Sequence, residues 1–147
     1  MSSVLLDTNV YCDSAYLEMV RKIRSQVHSS VVVQELLVIT NQAEQPALIR
    51  SFRESLDAGR GFVPDHVDWI EVGKCLHRLH QRGISDFGKL AKSEVNMLVR
   101  DALIARTAIR AKALLITHNT SDFSKIQAVF GSLKFRSPAD FFGMRPR

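Results

Sequence analysis

Two short apolar segments constrain the fold of this chain most strongly. Residues 4–6 (Val-Leu-Leu) lead directly into Asp7, and residues 113–117 lead into a polar loop that starts at His118. Neither segment alternates apolar and polar residues, so each predicts a strand that is buried on both faces. Helical patterns lie between them, and such alternation predicts a mostly parallel sheet covered by helices on both faces. The predicted fold class is therefore α/β.

The rest of the chain predicts further elements of the same kind. Three valines at 31–33 favour a strand by propensity, but Ser29 and Ser30 are typical helix caps. We favour a strand that ends near the serines and a helix that follows it. The other predicted helices cover residues 14–27, 47–58, 67–80, 94–112 and 123–130, and the other strands cover 62–63 and 133–135. No repeat or linker interrupts the pattern, so we expect one domain over residues 1–147.

Composition narrows the class of protein. The chain has 20 basic and 15 acidic residues, a net charge of +5, which suits a polyanionic partner such as nucleic acid without requiring one. Cys12 and Cys75 form no CxxC pair, which argues against a disulfide framework or a structural zinc site. There is no signal-peptide pattern and no apolar run long enough to span a bilayer. We therefore expect a cytoplasmic protein with no membrane partner.

Two acidic residues follow predicted strands. Asp7 comes directly after the first strand, and Asp122 lies in the loop after the strand that ends at Thr117. The carboxyl ends of parallel strands meet at one edge of a sheet, where ligands bind in this class of fold. Taken alone, each residue could instead be an ordinary turn or helix-capping aspartate.

Two more acidic residues lie on predicted helix faces that are otherwise apolar. Glu35 would share a face with Val31, Val38 and Ile39. Asp101 would lie on an inward stripe with Met97, Leu98, Ile104, Ala105 and Ala108. A carboxylate on such a face needs hydrogen bonds, a cation or a proton. A rim position for Glu35, or a local change of helix register at Asp101, would explain them without a site.

Four carboxylates in one place predict a cation. They would repel one another and raise each other's pKa values unless a positive charge neutralised them. Ligands that are all oxygens fit Mg²⁺ or Mn²⁺, and Mg²⁺ commonly takes a substrate phosphate as a further ligand. Hydrolysis of a phosphodiester is the reaction that such a site favours.

At these residues the chain resembles a PIN domain, and most closely the VapC-type toxin ribonucleases of bacterial toxin–antitoxin systems. Residues 4–10 resemble the first strand and first acid of the family, and residues 29–36 resemble its serine-to-glutamate segment. Residues 101–105 resemble its third-acid helix, and residues 115–123 its late strand and fourth acid. The resemblance covers nearly the whole chain.

The resemblance implies a Mg²⁺- or Mn²⁺-dependent endoribonuclease that cuts single-stranded or looped RNA. It also implies a homodimer and a small antitoxin partner. It implies that the metal is held and water activated by four acids, which are Asp7, Glu35, Asp101 and Asp122. It also implies hydrogen-bonding residues that orient them, which are Thr8, Asn9, Thr117 and Asn119. The loop over residues 83–93 matches no simple family pattern, so the choice of RNA stays open.

Several residues carry weaker signals. Lys89, Lys92 and Arg100 could contact RNA phosphates or be ordinary solvated charges. Phe87 could stack on a base, but core packing is favoured. Trp69 is interpreted as a core residue. His118 could assist proton transfer or point away from the site.

Two other functions fit the composition. The alternative to a nuclease is a non-catalytic α/β module that binds RNA or a protein. A phosphotransfer domain with Asp7 as nucleophile fits less well, since Asn9 occupies the position where such enzymes need a second acid.

Overall fold

A computed structural model describes residues 2–83, 88–89 and 92–143 of the chain. Within these ranges the strands are β1 (Ser3–Leu6), β2 (Gln26–Ser29), β3 (Gly61–Phe62), β4 (Ala113–Ile116) and β5 (Phe135–Arg136). They form one sheet in the order β3-β2-β1-β4-β5, and every neighbouring pair is parallel. The predicted α/β class with a parallel sheet is confirmed.

Helices connect the strands. In the described part of the chain they are α1 (Thr8–Tyr11), α2 (Leu17–Arg21), α3 (Ser30–Ile39), α4 (Gln45–Asp57), α5 (His66–Gln81), α6 (Lys92–Arg110), α7 (Thr120–Gln127) and α8 (Pro138–Phe142), with a 3-10 turn at Ser14–Tyr16. None of the helices in these ranges has the length and apolar character needed to cross a membrane.

The core lies on both faces of the sheet, as the uninterrupted apolar strands predict. Leu5 and Leu115 face the larger apolar cluster, which α3, α5, α6 and α7 cover. Val4, Leu6 and Ile116 face a smaller cluster on the other side of the sheet. Because neighbouring strand residues point to opposite faces, each central strand stabilises both layers.

The junction of β2 and α3 follows its capping residue rather than the β-propensity of its valines. The Ser29 hydroxyl accepts a hydrogen bond from the backbone N–H of Val31 at 3.3 Å. The Thr107 hydroxyl in turn donates to Ser29 at 3.1 Å. Both contacts are buried, so they satisfy a free N–H at the start of α3 and tie α3 to α6.

Other predicted elements were wrong. The predicted helix over 14–27 is a 3-10 turn followed by the short α2, because residues 26–27 pair with β1 as part of β2. Helix α7 starts at Thr120, so Asp122 lies in its first turn rather than in a loop. Helix α8 was not predicted. The loop predicted over residues 83–93 lies mostly outside the described residues.

A buried ion cluster joins α5 to α6. Asp68 is fully buried, and its two carboxylate oxygens pair with Arg106 Nε at 3.0 Å and Arg110 Nη1 at 2.5 Å. Asp68 also accepts a hydrogen bond from the backbone N–H of Asp65 at the start of α5. Arg110 donates further to the carbonyl oxygen of Val63. The cluster therefore fixes the loop after β3 and both helices against one another.

We expect Asp68→Ala to lower the free energy of unfolding by about 3–5 kcal/mol, because it leaves two arginines without their buried partner. The matched control is Glu71→Ala on the same helix, which removes only a surface pair with Lys74 and should cost less than about 1 kcal/mol. Urea unfolding of both variants checks this. Equal losses in the two variants would contradict the role given to the cluster.

Candidate active site

The site lies at the carboxyl edge of the sheet, where the order of the strands changes direction. From β1 the chain moves outward to β2 and β3, then returns to the other side of β1 for β4 and β5. Such a switch point leaves a crevice between the two central strands. Residue pairing places Leu6 beside Ile116, so the residues that follow, Asp7 and Thr117, meet at this crevice.

Asp7 is held by three hydrogen-bond donors. It is only 4% exposed. Its Oδ1 accepts from the backbone N–H of Thr8 at 2.8 Å, and its Oδ2 accepts from Thr117 Oγ1 at 2.7 Å and from Asn9 Nδ2 at 3.3 Å. Asn9 also accepts from the backbone N–H of His118 at 3.1 Å. These contacts give the first acid a single orientation.

Asn119 joins two of the other acids. Its Nδ2 donates to Asp101 Oδ2 at 2.9 Å and to Asp122 Oδ2 at 3.0 Å. Its backbone N–H donates to Thr117 Oγ1 at 3.0 Å, and the same hydroxyl contacts Asp7. A continuous hydrogen-bonded chain therefore runs from the end of β1 to the middle of α6.

Glu35 lies at the site, but not because it is on the apolar helix face that the sequence predicts. The predicted apolar face was wrong, because Val38 is 81% and Ile39 61% exposed. Helix α3 instead buries its first turn, at Val31–Val33. Because α3 begins directly after β2, its first turns lie at the same sheet edge as Asp7, and Glu35 is half-buried there.

Asp101 and Asp122 come from α6 and α7. The predicted inward stripe around Asp101 is buried at Leu98, Ile104, Ala105 and Ala108, whereas Met97 is 53% exposed. Asp101 itself is buried. Asp122 is partly exposed, and its Oδ1 lies 3.6 Å from Lys125 Nζ one turn later.

The pKa values show that the four carboxylates act on one another. Burial, followed by the charges of Asp7, Asp122 and Glu35, raises the pKa of Asp101 to about 8, and the Asn119 hydrogen bond opposes this. Burial also raises the pKa of Asp7, and its hydrogen-bond donors lower it in part. Burial and the Asp7 charge raise the pKa of Glu35. The cluster is therefore costly to ionise without a cation.

The donor set is suited to a hard divalent cation. Glu35 Oε1 and Thr8 Oγ1 are buried and have no hydrogen-bond partner among the described residues, although the nearby Thr8 hydroxyl moderates the pKa of Glu35. As the side chains stand in those ranges, no group of three or more His, Cys, Asp or Glu residues is placed so that it could hold a metal ion. The side chains that could hold a cation are Asp7, Glu35, Asp101 and Asp122, which offer oxygen ligands only.

The basic and aromatic residues that the sequence analysis considered differ in their contacts and in whether the structure describes them. Lys92 and Arg100 are exposed on α6, and the Arg100 charge lowers the pKa of Glu35. Lys89 is exposed, whereas Phe87 lies outside the described residues. His118 Nε2 lies 2.9 Å from Asp13 Oδ2, and the His118 charge lowers the pKa of Asp7.

Trp69 corrects the sequence interpretation, because it is 56% exposed rather than part of the core. Sequence reasoning also missed Asp13, since nothing in the sequence indicated its contact with His118. The helical periodicity of α5 could have placed Asp68 on its inward face. The next residue, Trp69, would then have been predicted to point outward.

Comparison with known proteins identifies the fold. No protein-family model matches the chain, and no curated protein matches its sequence. Solved structures do match. FitAcB from Neisseria gonorrhoeae aligns at 18% identity with a TM-score of 0.58, over 90% of this chain and 95% of that chain. The chain has a PIN-like fold.

Two further solved structures support the PIN-like fold. VapBC-1 from nontypeable Haemophilus influenzae aligns at 22% identity with a TM-score of 0.53, over 91% of this chain and 96% of that chain. VapBC2 from Rickettsia felis, bound to a DNA fragment from its promoter, aligns at 21% identity with a TM-score of 0.54, over 91% and 97%. These neighbours are toxin–antitoxin structures. The resemblance predicted from the sequence is confirmed in the fold.

The raised pKa of Asp101 predicts how the metal-free protein responds to pH. An acid whose pKa is higher in the folded state stabilises that state at low pH, and loses this contribution as pH rises through the folded value. With the pKa of Asp101 at about 8, we expect Asp101→Asn to melt above the wild type in EDTA at pH 8.5. The difference should shrink toward pH 5, where the wild-type carboxyl is protonated.

Thermal melts of the two proteins at pH 5, 7 and 8.5 measure this difference. Asp57→Asn, which changes an exposed acid on α4, is the control for loss of a charge. If the Asp101→Asn difference is the same at pH 5 and pH 8.5, the electrostatic account of the cluster is wrong.

Proposed function

We propose that this protein is a Mg²⁺- or Mn²⁺-dependent endoribonuclease and the toxin of a toxin–antitoxin pair. The observation that carries the proposal is the hydrogen-bonded chain that runs from Asp7 through Thr117 and Asn119 to Asp101 and Asp122 at the carboxyl edge of a PIN-like sheet. The charges of Asp7, Asp122 and Glu35 all raise the pKa of Asp101, which supports placing these three acids within electrostatic range of it. The toxin–antitoxin structures with the same fold support the choice of system.

Asp7, Glu35, Asp101 and Asp122 would hold the metal. When bound, Mg²⁺ or Mn²⁺ would polarise the phosphoryl group and make a bound water more nucleophilic. Neighbouring residues would orient the acids by hydrogen bonds. Thr117 and Asn9 donate to Asp7, and Asn119 donates to both Asp101 and Asp122. Glu35 Oε1 is buried and has no hydrogen-bond partner in the described part of the chain, so we propose that it accepts a proton from the attacking water.

RNA is the proposed substrate. The chain carries a net charge of +5, which favours association with a polyanion. Lys92 and Arg100 are exposed on α6, the helix that also carries Asp101. We propose that these two residues and Lys89 contact RNA phosphates on either side of the cleaved bond.

The partner and assembly belong to the same proposal. The toxin–antitoxin neighbours, among which FitAB and VapBC2 are bound to DNA, support a small antitoxin protein as the partner. We propose a homodimer as the assembly, which the family resemblance implies. A cytoplasmic location would give such a protein access to cellular RNA.

We expect the protein to cut a labelled single-stranded RNA in Mg²⁺ or Mn²⁺ and to leave it intact in EDTA. Asp7→Asn and Asp101→Asn should each lose about a hundredfold or more in rate, since each removes a charge that holds the metal. Asp57→Asn is the matched control and should keep the wild-type rate. Full activity of either site variant would exclude the mechanism, and RNA that is bound but never cut would favour a binding module.

Asn119→Ala tests the positioning of the acids separately. It removes the donor shared by Asp101 and Asp122, so we expect Mn²⁺ affinity, measured by calorimetry, to fall about 10–100-fold. The shorter hydroxyl of Asn119→Ser should restore part of the affinity. Unchanged Mn²⁺ binding in Asn119→Ala would show that this contact does not organise the site.

A further inference from the structure

A cleft opens beside the acidic site between α3, α5 and α6. Its volume is about 530 Å³, which is within the range of small-ligand sites. Val31 and Leu103 are its buried apolar lining. Its exposed lining residues include Trp69, Gln34, Asn96 and Arg100. The cleft thus combines an apolar floor with a polar, aromatic rim.

Trp69 is the feature of the cleft that most needs an explanation. Tryptophan is highly buried on average, because its large ring gains much from leaving water. Here it is 56% exposed, on a helix that the buried Asp68 cluster fixes in place. It is also the only tryptophan in the chain. An indole held on a rigid wall of a cleft can stack on a flat ring at little entropic cost.

The polar residues of the cleft have unused hydrogen-bonding groups. Neither Gln34 nor Asn96 makes a side-chain hydrogen bond within the described ranges of the chain. Each amide offers two donors and one carbonyl acceptor, the pattern that the edge of a nucleobase pairs with. A purely apolar peptide segment would leave these groups without partners, so the lining favours a base over such a segment.

The cleft and the acids share two helices. On α3, Gln34 lines the cleft and the next residue, Glu35, belongs to the acidic cluster. On α6, Arg100 lines the cleft and is followed by Asp101. The charge of Arg100 acts on Glu35, so it links the two regions electrostatically. Because Gln34 and Glu35, like Arg100 and Asp101, are consecutive in the chain, one strand of RNA can contact both regions.

We propose that this cleft binds one unpaired base of a single-stranded RNA. The base stacks on Trp69, its edge pairs with Gln34 and Asn96, and Arg100 contacts the phosphate that leads to the acids. The inference rests on the proposed nuclease function and deepens it, because it assigns the cleft to positioning and choosing the base next to the cleaved bond. Such a base is accessible in single-stranded or looped RNA, the substrate class that the family resemblance implies, and not inside a duplex.

The single tryptophan provides a direct test. The probes are fluorescein-labelled RNA hexamers of each base and a matched hexamer with abasic positions. They are added in EDTA to the Asp7→Asn protein, so that no cleavage occurs. We expect the base-containing RNAs to quench Trp69 fluorescence and the abasic RNA to leave it unchanged. Anisotropy of the label measures the affinity in parallel.

Three variants separate stacking from folding. Trp69→Ala should weaken binding of the base-containing hexamers about tenfold or more, whereas Trp69→Phe should retain most of the affinity. Ile70→Ala is the matched control, because Ile70 is similarly exposed on α5 but does not line the cleft, and it should bind like the parent. Abasic RNA should bind the parent and Trp69→Ala equally.

The outcomes distinguish this inference from the proposed activity. If RNA binds and wild-type protein cuts it, but Trp69→Ala binds as tightly as its parent, the cleft proposal is overturned and the nuclease proposal stands. If base-dependent quenching occurs but wild-type protein cuts no RNA in Mg²⁺ or Mn²⁺, the nuclease proposal fails and, with it, the role of the cleft beside a cleaved bond, whereas base binding by the cleft stands. Absence of RNA binding, or equal quenching by abasic RNA, overturns the cleft proposal.

Discussion

The hydrogen bond from Thr117 to Asp7 is the contact on which the site depends. It joins the ends of the two central strands, and it forms because the register of β1 and β4 places Leu6 beside Ile116. From Thr117 the chain of contacts continues through Asn119 to Asp101 and Asp122. A shift of one residue in this register would turn Thr117 to the other face of the sheet and disconnect the acids.

Helix α6 takes part in two buried clusters of charged residues, and the negative charge is balanced differently in each. Toward its C-terminal end, Arg106 and Arg110 neutralise the buried Asp68. Toward its middle, Asp101 is buried beside other acids and has an amide for a partner rather than a cation. The first arrangement holds α5 and α6 together. The second costs stability without a metal, which is the pattern expected where function rather than folding decides the residues.

Much of the sheet could be predicted from the sequence, because its strands are short, apolar and followed by polar residues. Asp7 was placed at the sheet edge for this reason. Asp101 was predicted from the apolar stripe of its helix, most of which is buried. Glu35 was assigned to the site because it was predicted to lie on an apolar helix face. That prediction was wrong, since Val38 and Ile39 on this face are exposed. Periodicity assigns a face to a helix, but only the tertiary neighbours decide which apolar face is covered. For the same reason the sequence wrongly predicted Trp69 to be a core residue.

The geometry of the α-helix explains how one edge of the sheet can serve two purposes. Consecutive residues on a helix point about 100° apart, so Gln34 and Glu35, like Arg100 and Asp101, face different surroundings from a single turn. The acidic cluster and the cleft therefore share α3 and α6 without using the same residues. The ion cluster at Asp68 joins α5, which carries Trp69, to α6, which carries Asp101. Any change in the packing of α5 on α6 should then alter the cleft and the acids together.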